Sequence, residues 1–488
     1  MLVRLTGTGF IAEFLLIIAL LSGRAAAGSD PELFLFSLTD EIGLKLRLDR
    51  TGAVFLGVIA IVWVLAGFYA FEYMKHEQNN KRYFAFCLMS LGVLAGLCEA
   101  GTLITYYVFY ELMTIMTFAL VIHNQSREAI HAALKYLFYS FAGAYMVLFG
   151  IFFLYRESSL SPVIPVFFIL LGFSVKAGMF PLHGWLPTAH PVAPAPASAV
   201  LSAIIVKAGV LGILRLLFEE PAAACFAGSW VQTLLTVLSV ITVFMGSMLA
   251  YREQVFKKRL AYSTVSQVSY ILFGIFAAPS SATAFRGAML HVAAHAMIKS
   301  ALFLIAGAII YHTGCTRVDE LRGIGKKMPV LMWCFTICSL GLIGIPPFGG
   351  YVSKWYLGTG VLADPSSGVP GLIGVIVLLI SALLTAGYLL PISINAFLPG
   401  KDFRDEVLTA ERGRENAAAG DAAAGSAAVG NAAAGDAVAG GLPEVRVPEK
   451  IFAPAYLKGS EPKTMMLVPI IILTVLSVLI GLLPEVIL

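Results

Sequence analysis

The sequence predicts an all-α polytopic membrane protein of about thirteen transmembrane helices, on three observations. Hydrophobic residues make up 59% of the 488 and charged ones only 13%, with a mean hydropathy of +0.86 that lies well outside the soluble norm. Apolar runs near the roughly 20 residues that a spanning helix needs recur along most of the chain. Two of these runs are punctured by glycine and proline, which breaks a helix inside a span.

Taken in order, Met1 to Arg4, an apolar run to Leu21 and then Ala25-Ala26-Ala27 have the outline of a cleavable leader, but residues 9–23 are read here as a retained first helix. Further spans are expected at 51–72, 83–99, 103–122, 134–154, 163–183 and 196–218. Those at 230–250, 260–277, 287–310, 329–361 with an interruption, 371–397 and 465–487 complete the set. The organisation follows: N-terminal helices to residue 82, five spans in 83–218, five in 230–397, a linker at 401–464 and a last helix at 465–488.

The connections carry the orientation signal. With a cytoplasmic N-terminus, inside loops hold Lys75, Lys81, Arg82, Arg127, Lys135, Arg252, Lys257, Lys258, Arg259, Arg317, Arg322, Lys326 and Lys327. The later outside loops hold only Arg156, Arg215 and Arg286, so the positive-inside rule places the protein in the inner (plasma) membrane with its C-terminus outside. The segment between the first two spans (Arg24, Lys45, Arg47, Arg50) runs against the rule, though it also carries several acids. Asn416 to Gly440 repeats a five-residue unit (NAAAG, DAAAG, SAAVG, NAAAG, DAVAG) with too little apolar bulk to fold alone, and is read as part of a mobile cytoplasmic linker.

Net charge is only +4 and no basic run suggests nucleic acid. The six cysteines contain no CxxC pair and mostly fall in apolar segments, which favours packing over a metal site or disulfides.

Chemistry is expected where ionisable groups sit in oil. Lys176, Lys207, Lys299 and Lys354 lie inside apolar spans, as does Glu111. An ammonium at the middle of a membrane helix costs roughly 2.5 to 3.5 kcal/mol even on the gentler scale, so each is a functional candidate. Lys176 belongs to Gly172-Phe173-Ser174-Val175-Lys176-Ala177-Gly178-Met179-Phe180-Pro181, and Lys354 follows Gly341-Leu342-Ile343-Gly344-Ile345-Pro346-Pro347-Phe348-Gly349-Gly350. Interrupted spans at corresponding places in two halves point to an inverted-repeat transporter with mid-membrane ion sites. Here each is the fourth span of its five. The plainer reading is that glycine and proline are common in membrane helices.

Glu111 lies near the middle of its span, where desolvation disfavours the carboxylate and a neighbouring ammonium favours it. Paired with a lysine it can act as a switch; the plainer reading is a static ion pair. His291, His295 and Lys299 recur every four residues and so line one helix face over about 12 Å. Such a stripe can hand protons along through water, whereas a lone histidine would more simply be packing. Haem ligation is a poorer reading, because the second helix lacks a matching histidine pair.

The stretch from Lys176 through Leu182-His183-Gly184-Trp185-Leu186-Pro187-Thr188-Ala189-His190 resembles the signature of the antiporter-like subunits of respiratory complex I (M- and N-like), membrane-bound hydrogenases and Mrp-type cation/proton antiporters. The resemblance continues through Ala193 to Ser202, Lys207-Ala208-Gly209, Lys258 to Gln267, His295 to Phe303 and Pro346 to Lys354, covering most of residues 50–397. It implies that Glu111 pairs with Lys176 of the first broken helix, that Lys207 is the central relay lysine, that His295 and Lys299 continue the relay, and that Lys354 is its terminal lysine. Members of the M type tend to carry glutamate at the Lys354 position, so lysine points to Mrp D-like, N-like or hydrogenase-associated members. The chain stops short of the lateral helix of the largest members, and the Ala/Gly repeat is not part of the shared pattern.

These readings predict a proton-translocating subunit, with exchange for sodium left open, working beside other membrane subunits and lipid. No flavin, iron–sulfur or nucleotide motif is visible, so the sequence calls for no cofactor and any redox catalysis falls to partners. The rivals are a stand-alone solute carrier and a scaffold whose charges only pack.

Overall fold

The computed structural model describes residues 2–27, 32–37, 43–156, 160–219, 224–399 and 461–486. The Ala/Gly repeat and almost all of the 401–464 segment lie outside the described residues. In chain order the elements begin with α1 (Leu2–Ala27), a hairpin of β1 (Glu32–Ser37) and β2 (Gly43–Arg47), then α2 (Arg50–Tyr73), α3 (Asn80–Cys98), α4 (Leu103–Val121) and α5 (Arg127–Leu154). The first broken span follows as α6 (Val163–Ala177) and α7 (Leu186–Val192), and the next as α8 (Ala195–Val200), a π-helical turn (Leu201–Ile205) and α9 (Val206–Glu219). The second half comprises α10 (Trp230–Arg252), α11 (Phe256–Ala277), α12 (Ala282–Thr313), α13 (Pro329–Ile343), α14 (Gly349–Ala363) and α15 (Gly368–Phe397), with α16 (Thr464–Leu482) last.

The helices begin where short polar side chains can satisfy free N–H groups. Asp49 accepts from Gly52 N, Thr102 from Thr105 N, Ser126 from Ala129 N, Ser229 from Gln232 N and Ser281 from Ala284 N. Within the bilayer no water would do this work, so the caps fall at the ends of the apolar runs.

Eleven helices among the described residues are long and apolar enough to cross a membrane, or twelve if the turns over Asp319–Lys326 are joined to α13 across a 116° bend. The expectation of about thirteen is not reached by that measure because it meets half-helices. α6 and α13 have 15 residues each. At 1.5 Å per residue each is about 22 Å long, short of a hydrocarbon core of about 30 Å. Both stop on a glycine in the left-handed region, Gly178 at φ +79° and Gly344 at φ +93°, a conformation that side chains with a Cβ resist.

Burial sorts the helices. The α8–α9, α11 and α12 spans are each 94% buried, against 33% for α5, 28% for α15 and 17% for α1. Apolar side chains such as Phe138 and Leu383 cover the periphery at over 70% exposed, as a lipid-facing surface should. Charged groups in the interior are therefore held by the central helices and cannot reach lipid.

The hairpin is the element the sequence did not announce. Its register pairs Glu32 with Arg47, and β2 is tied to the α3–α4 turn by Arg47 N to Glu99 O (2.5 Å), Gly101 N to Lys45 O (2.9 Å) and Lys45 N to Thr105 Oγ1 (3.0 Å). Beneath it Arg215, 3% exposed, joins Asp49 Oδ1 at 3.0 Å and donates to Cys98 O at 2.8 Å.

At the opposite, basic end, Glu72 is buried between Lys75 (2.5 Å) and Lys463 (2.6 Å), and so fastens α16 to α2. Glu253, in the α10–α11 turn, accepts from Gln254 N and Val255 N (both 3.0 Å) and from Lys258 Nζ at 2.7 Å. Burial alone would raise its pKa, but Lys258 and the two amides together outweigh it and hold it below the usual carboxylate range. A depressed folded-state pKa stabilises the turn above the ordinary carboxylate value of about 4.3 and loses that contribution as pH falls through the lower, folded one. The protection factors of the Gln254 and Val255 amides, read by hydrogen exchange, should be constant from pH 7 to pH 5 and fall below that range. Glu253→Gln should show the reduced protection already at neutral pH.

Candidate functional site

Four of the seven candidate residues, Lys207, His291, His295 and Lys299, lie on the central helices, and these four and Lys176 are at most 2% exposed. Lys354 and Glu111 are half-buried.

Lys207 lies just after the π-helical turn, in which Val206 N–H reaches back five residues to Leu201 O. This widened turn leaves Ser202 O within 3.0 Å of Lys207 Nζ, and a single π turn inside a helix is a frequent functional device. The same ammonium lies 2.5 Å from His295 Nδ1 on α12. When Lys207 is charged its ammonium can only donate, so His295 Nδ1 then accepts and the ring proton sits on Nε2. That Nε2 is buried with no hydrogen-bond partner among the described residues.

His291 lies one turn away, its ring stacked on that of His295 with centroids 5.9 Å apart. Its Nδ1 shares a 2.9 Å hydrogen bond with Ser353 Oγ, and its Nε2 is also buried, with no well-formed hydrogen bond among the described residues. Ser353 precedes Lys354, whose Nζ donates to Leu342 O (2.7 Å) and Ile343 O (2.9 Å), the last carbonyls of α13. The break at Gly344 is what frees those carbonyls, and a cation at a helix C-terminus is favoured by the helix dipole. Tyr270 presents its ring face to Lys354 at 5.0 Å. Direct contacts therefore run from Lys207 through His295 and His291 to Ser353, and Lys354 adjoins them across the Tyr270 ring, which stacks on His291 with centroids 5.7 Å apart.

Lys299 joins from the other side. Its Nζ donates to Leu260 O at 3.0 Å; Thr264 Oγ1 donates to the same carbonyl and pairs with Ser202 Oγ at 2.7 Å, which leads back to Lys207. One turn beyond Lys299, Phe303 stacks on the buried ring of His190 at 4.6 Å. Lys257, 7% exposed, donates to Ala193 O at 2.9 Å.

Lys176 forms a separate cluster. Its three donors meet Thr114 Oγ1 (2.9 Å), Tyr136 OH (3.1 Å) and Ser140 Oγ (2.8 Å), and it lies over the Tyr136 ring at 4.6 Å. Three acceptors for three donors satisfy the ammonium without a carboxylate. Glu111, one turn before Thr114 on α4, makes no hydrogen bond to it among the described residues and acts on it through charge alone; Glu111 Oε1 is buried with no hydrogen-bond partner among those residues. Between this cluster and Lys207 the packing is apolar and close: a Cβ on Gly209 would lie 2.4 Å from Phe173 O. Towards α2 and α3, Lys207 borders a cavity of about 10 Å³, scarcely room for one water.

The sequence did not point to Thr114, Tyr136, Ser140, Ser202, Thr264 or Ser353, because hydroxyls are common in helices of every kind. Helical spacing offered one clue: Thr114 follows Glu111 by one turn and Ser353 adjoins Lys354.

Comparison with known proteins identifies the family. The family model described as NADH:quinone oxidoreductase/Mrp antiporter, TM, matches residues 100–385, and that of the NADH-ubiquinone oxidoreductase (complex I) chain 5 N-terminus matches residues 36–84. The N subunit of the NADH-quinone oxidoreductase of Desulforudis audaxviator is 34% identical over 73% of this chain and 74% of its own length. The D subunit of the Na(+)/H(+) antiporter of Bacillus subtilis is 30% identical over 73% of each. A chain of the membrane-bound sulfane sulfur reductase, an archaeal respiratory membrane complex, superposes with a TM-score of 0.77 over 99% of this chain and 88% of that one, at 22% identity. The chain belongs to the family of antiporter-like membrane subunits that NADH:quinone oxidoreductases and Mrp antiporters share.

Proposed function

We propose that this chain carries protons through the membrane as one subunit of a larger membrane complex, along a relay of Glu111, Lys176, Lys207, His295, His291 and Lys354 with Lys299 as a side branch. The observation that carries the reading is the contact of Lys207 Nζ with His295 Nδ1, in line with His291, Ser353 and Lys354. Buried amines are costly, and a line of them joined by acceptors and unpartnered ring nitrogens is suited to passing a proton. The rings of His291 and His295 stack without a direct hydrogen bond, so transfer between them needs one water or a ring rotation.

The apolar barrier between Lys176 and Lys207 supplies the gate. A change at Glu111, near the lateral surface on a face with Leu112 and Ile115 exposed, alters the field on Lys176 and the hydration of the barrier. An adjoining membrane subunit is the natural source of that change. Redox chemistry or a sodium gradient would drive it from there, and the quinone-oxidoreductase and Na(+)/H(+) antiporter relatives stand for those two options in turn. The basic loops at the Lys75, Lys257 and Lys327 end support a cytoplasmic face there, in a cell inner membrane, with the C-terminus outside. The paired breaks at Gly178 and Gly344 support two five-helix repeats of opposite topology.

His295→Gln tests the reading in the reconstituted, assembled complex, since it keeps polarity but cannot hold a transferable proton at neutral pH. We expect coupled proton transport to fall at least tenfold, the low end being set by partial replacement by water. Wild-type transport with His295→Gln would contradict the relay.

A further inference from the structure

We infer that the crevice between α2, α12 and α16 is a binding site for one anionic glycerophospholipid. A cavity of about 650 Å³ opens between these helices at the hairpin end of the molecule. Its floor is apolar: Val58 and Ile61 from α2, Ala293 and Met297 from α12, Leu479 and Ile480 from α16. Its rim is cationic, with Arg24 closing α1 and Arg50 opening α2. A second cavity of about 210 Å³ shares Arg50 and Val54 with it and adds Arg286 of α12. Glu485 is the acid on the rim, which stays net positive.

The dimensions select the occupant. From Arg50 down to Ile61 the crevice follows α2 for about 16 Å at 1.5 Å per residue, and one leaflet contributes about half of a 30 Å hydrocarbon core. A groove one leaflet deep with guanidinium groups at its mouth is complementary to acyl chains beneath a phosphate. Arg24 Nε is spent on Leu48 O at 2.8 Å, whereas Arg50 and Arg286 are exposed and in no ion pair among the described residues. Arginine matches phosphate oxygens in bidentate geometry, so the headgroup phosphate would bridge α2 and α12. Gly57 of α2 faces the groove, and a Cβ built there meets nothing within 4 Å. Ala293 and Met297 lie two residues either side of His295, hence on the back of the relay helix, where an acyl chain would exclude water.

The full chain, purified in its assembled complex in a mild detergent, is tested by quantifying bound phospholipid by mass spectrometry and by thermal melting in nanodiscs of phosphatidylglycerol or phosphatidylcholine. The wild type should retain anionic lipid and melt higher in phosphatidylglycerol. Gly57→Phe, which fills the groove, and Arg50→Gln/Arg286→Gln, which strips the rim, should each lose at least about threefold of that lipid together with the stabilisation, while Gly57→Ala and Arg50→Lys keep both. If Gly57→Phe fails to assemble, the arginine pair decides. Wild-type lipid retention in either variant, or a wild type without anionic lipid because a protein helix fills the groove, overturns the inference.

Discussion

Lys207→Ala should stop coupled proton transport, by roughly 100-fold or more, in an assembled complex that still purifies with its partners. The lysine is the junction of the site: its ammonium meets His295 Nδ1 and Ser202 O, and through the Ser202 and Thr264 hydroxyls it is linked to Leu260 O and Lys299. Alanine leaves the His295 and Ser202 acceptors facing the space that the lysine side chain vacates. The lost partners cost about 1 to 3 kcal/mol of stability, modest against a large membrane bundle. Transport and assembly are therefore separable, and Lys207→Arg, which keeps a cation but not a readily released proton, should assemble normally and still fail to pump. A scaffold that kept its charges only for packing would transport normally with Lys207→Arg.

Gly350→Val should be the most damaging single steric change among the positions considered. A Cβ at Gly350 falls 1.9 Å from Gly341 O, a backbone atom of the facing half-helix that has no rotamer to yield. The halves α13 and α14 would have to separate, pulling Lys354 from Leu342 O and Ile343 O. Overpacking of this kind costs about 1 to 3 kcal/mol or more, so the variant should melt well below the wild type in detergent and lose transport. Gly57→Ala serves as control, since its new methyl meets open space and its melting should match the wild type or exceed it. Equal melting of the two variants would mean the break is loose rather than built around glycine.

Much of the site was legible in the sequence because a buried ammonium is expensive wherever it sits. That cost marked Lys176, Lys207 and Lys299 before any contact was known, and helical spacing placed His291, His295 and Lys299 on one face, as α12 has them. Glycine and proline announced both broken spans for a local reason: Gly178 and Gly344 adopt positive φ. What supports these groups was not legible, being tertiary. Lys176 is satisfied by hydroxyls from α4 and α5, 36 to 62 residues away, and nothing in Thr114 or Ser140 marks them out from other membrane hydroxyls. The π-helical turn at Leu201–Ile205 depends on how α8 packs against α12, and the β1–β2 hairpin on its seat over the α3–α4 turn. The sequence count included both broken spans, whereas the length of the described helices counts eleven or twelve, because each half at a break is too short to register.

A double-mutant cycle on proton flux tests the central claim most directly, using His295→Gln and Ser353→Ala in the reconstituted complex. Two steps in one series path limit the same current, so the double variant should be no slower than about the slower single one, a strongly non-additive result. Losses that multiply, each substitution slowing flux by its own factor whatever the other, would mean that His295 and Ser353 do not share a conduit.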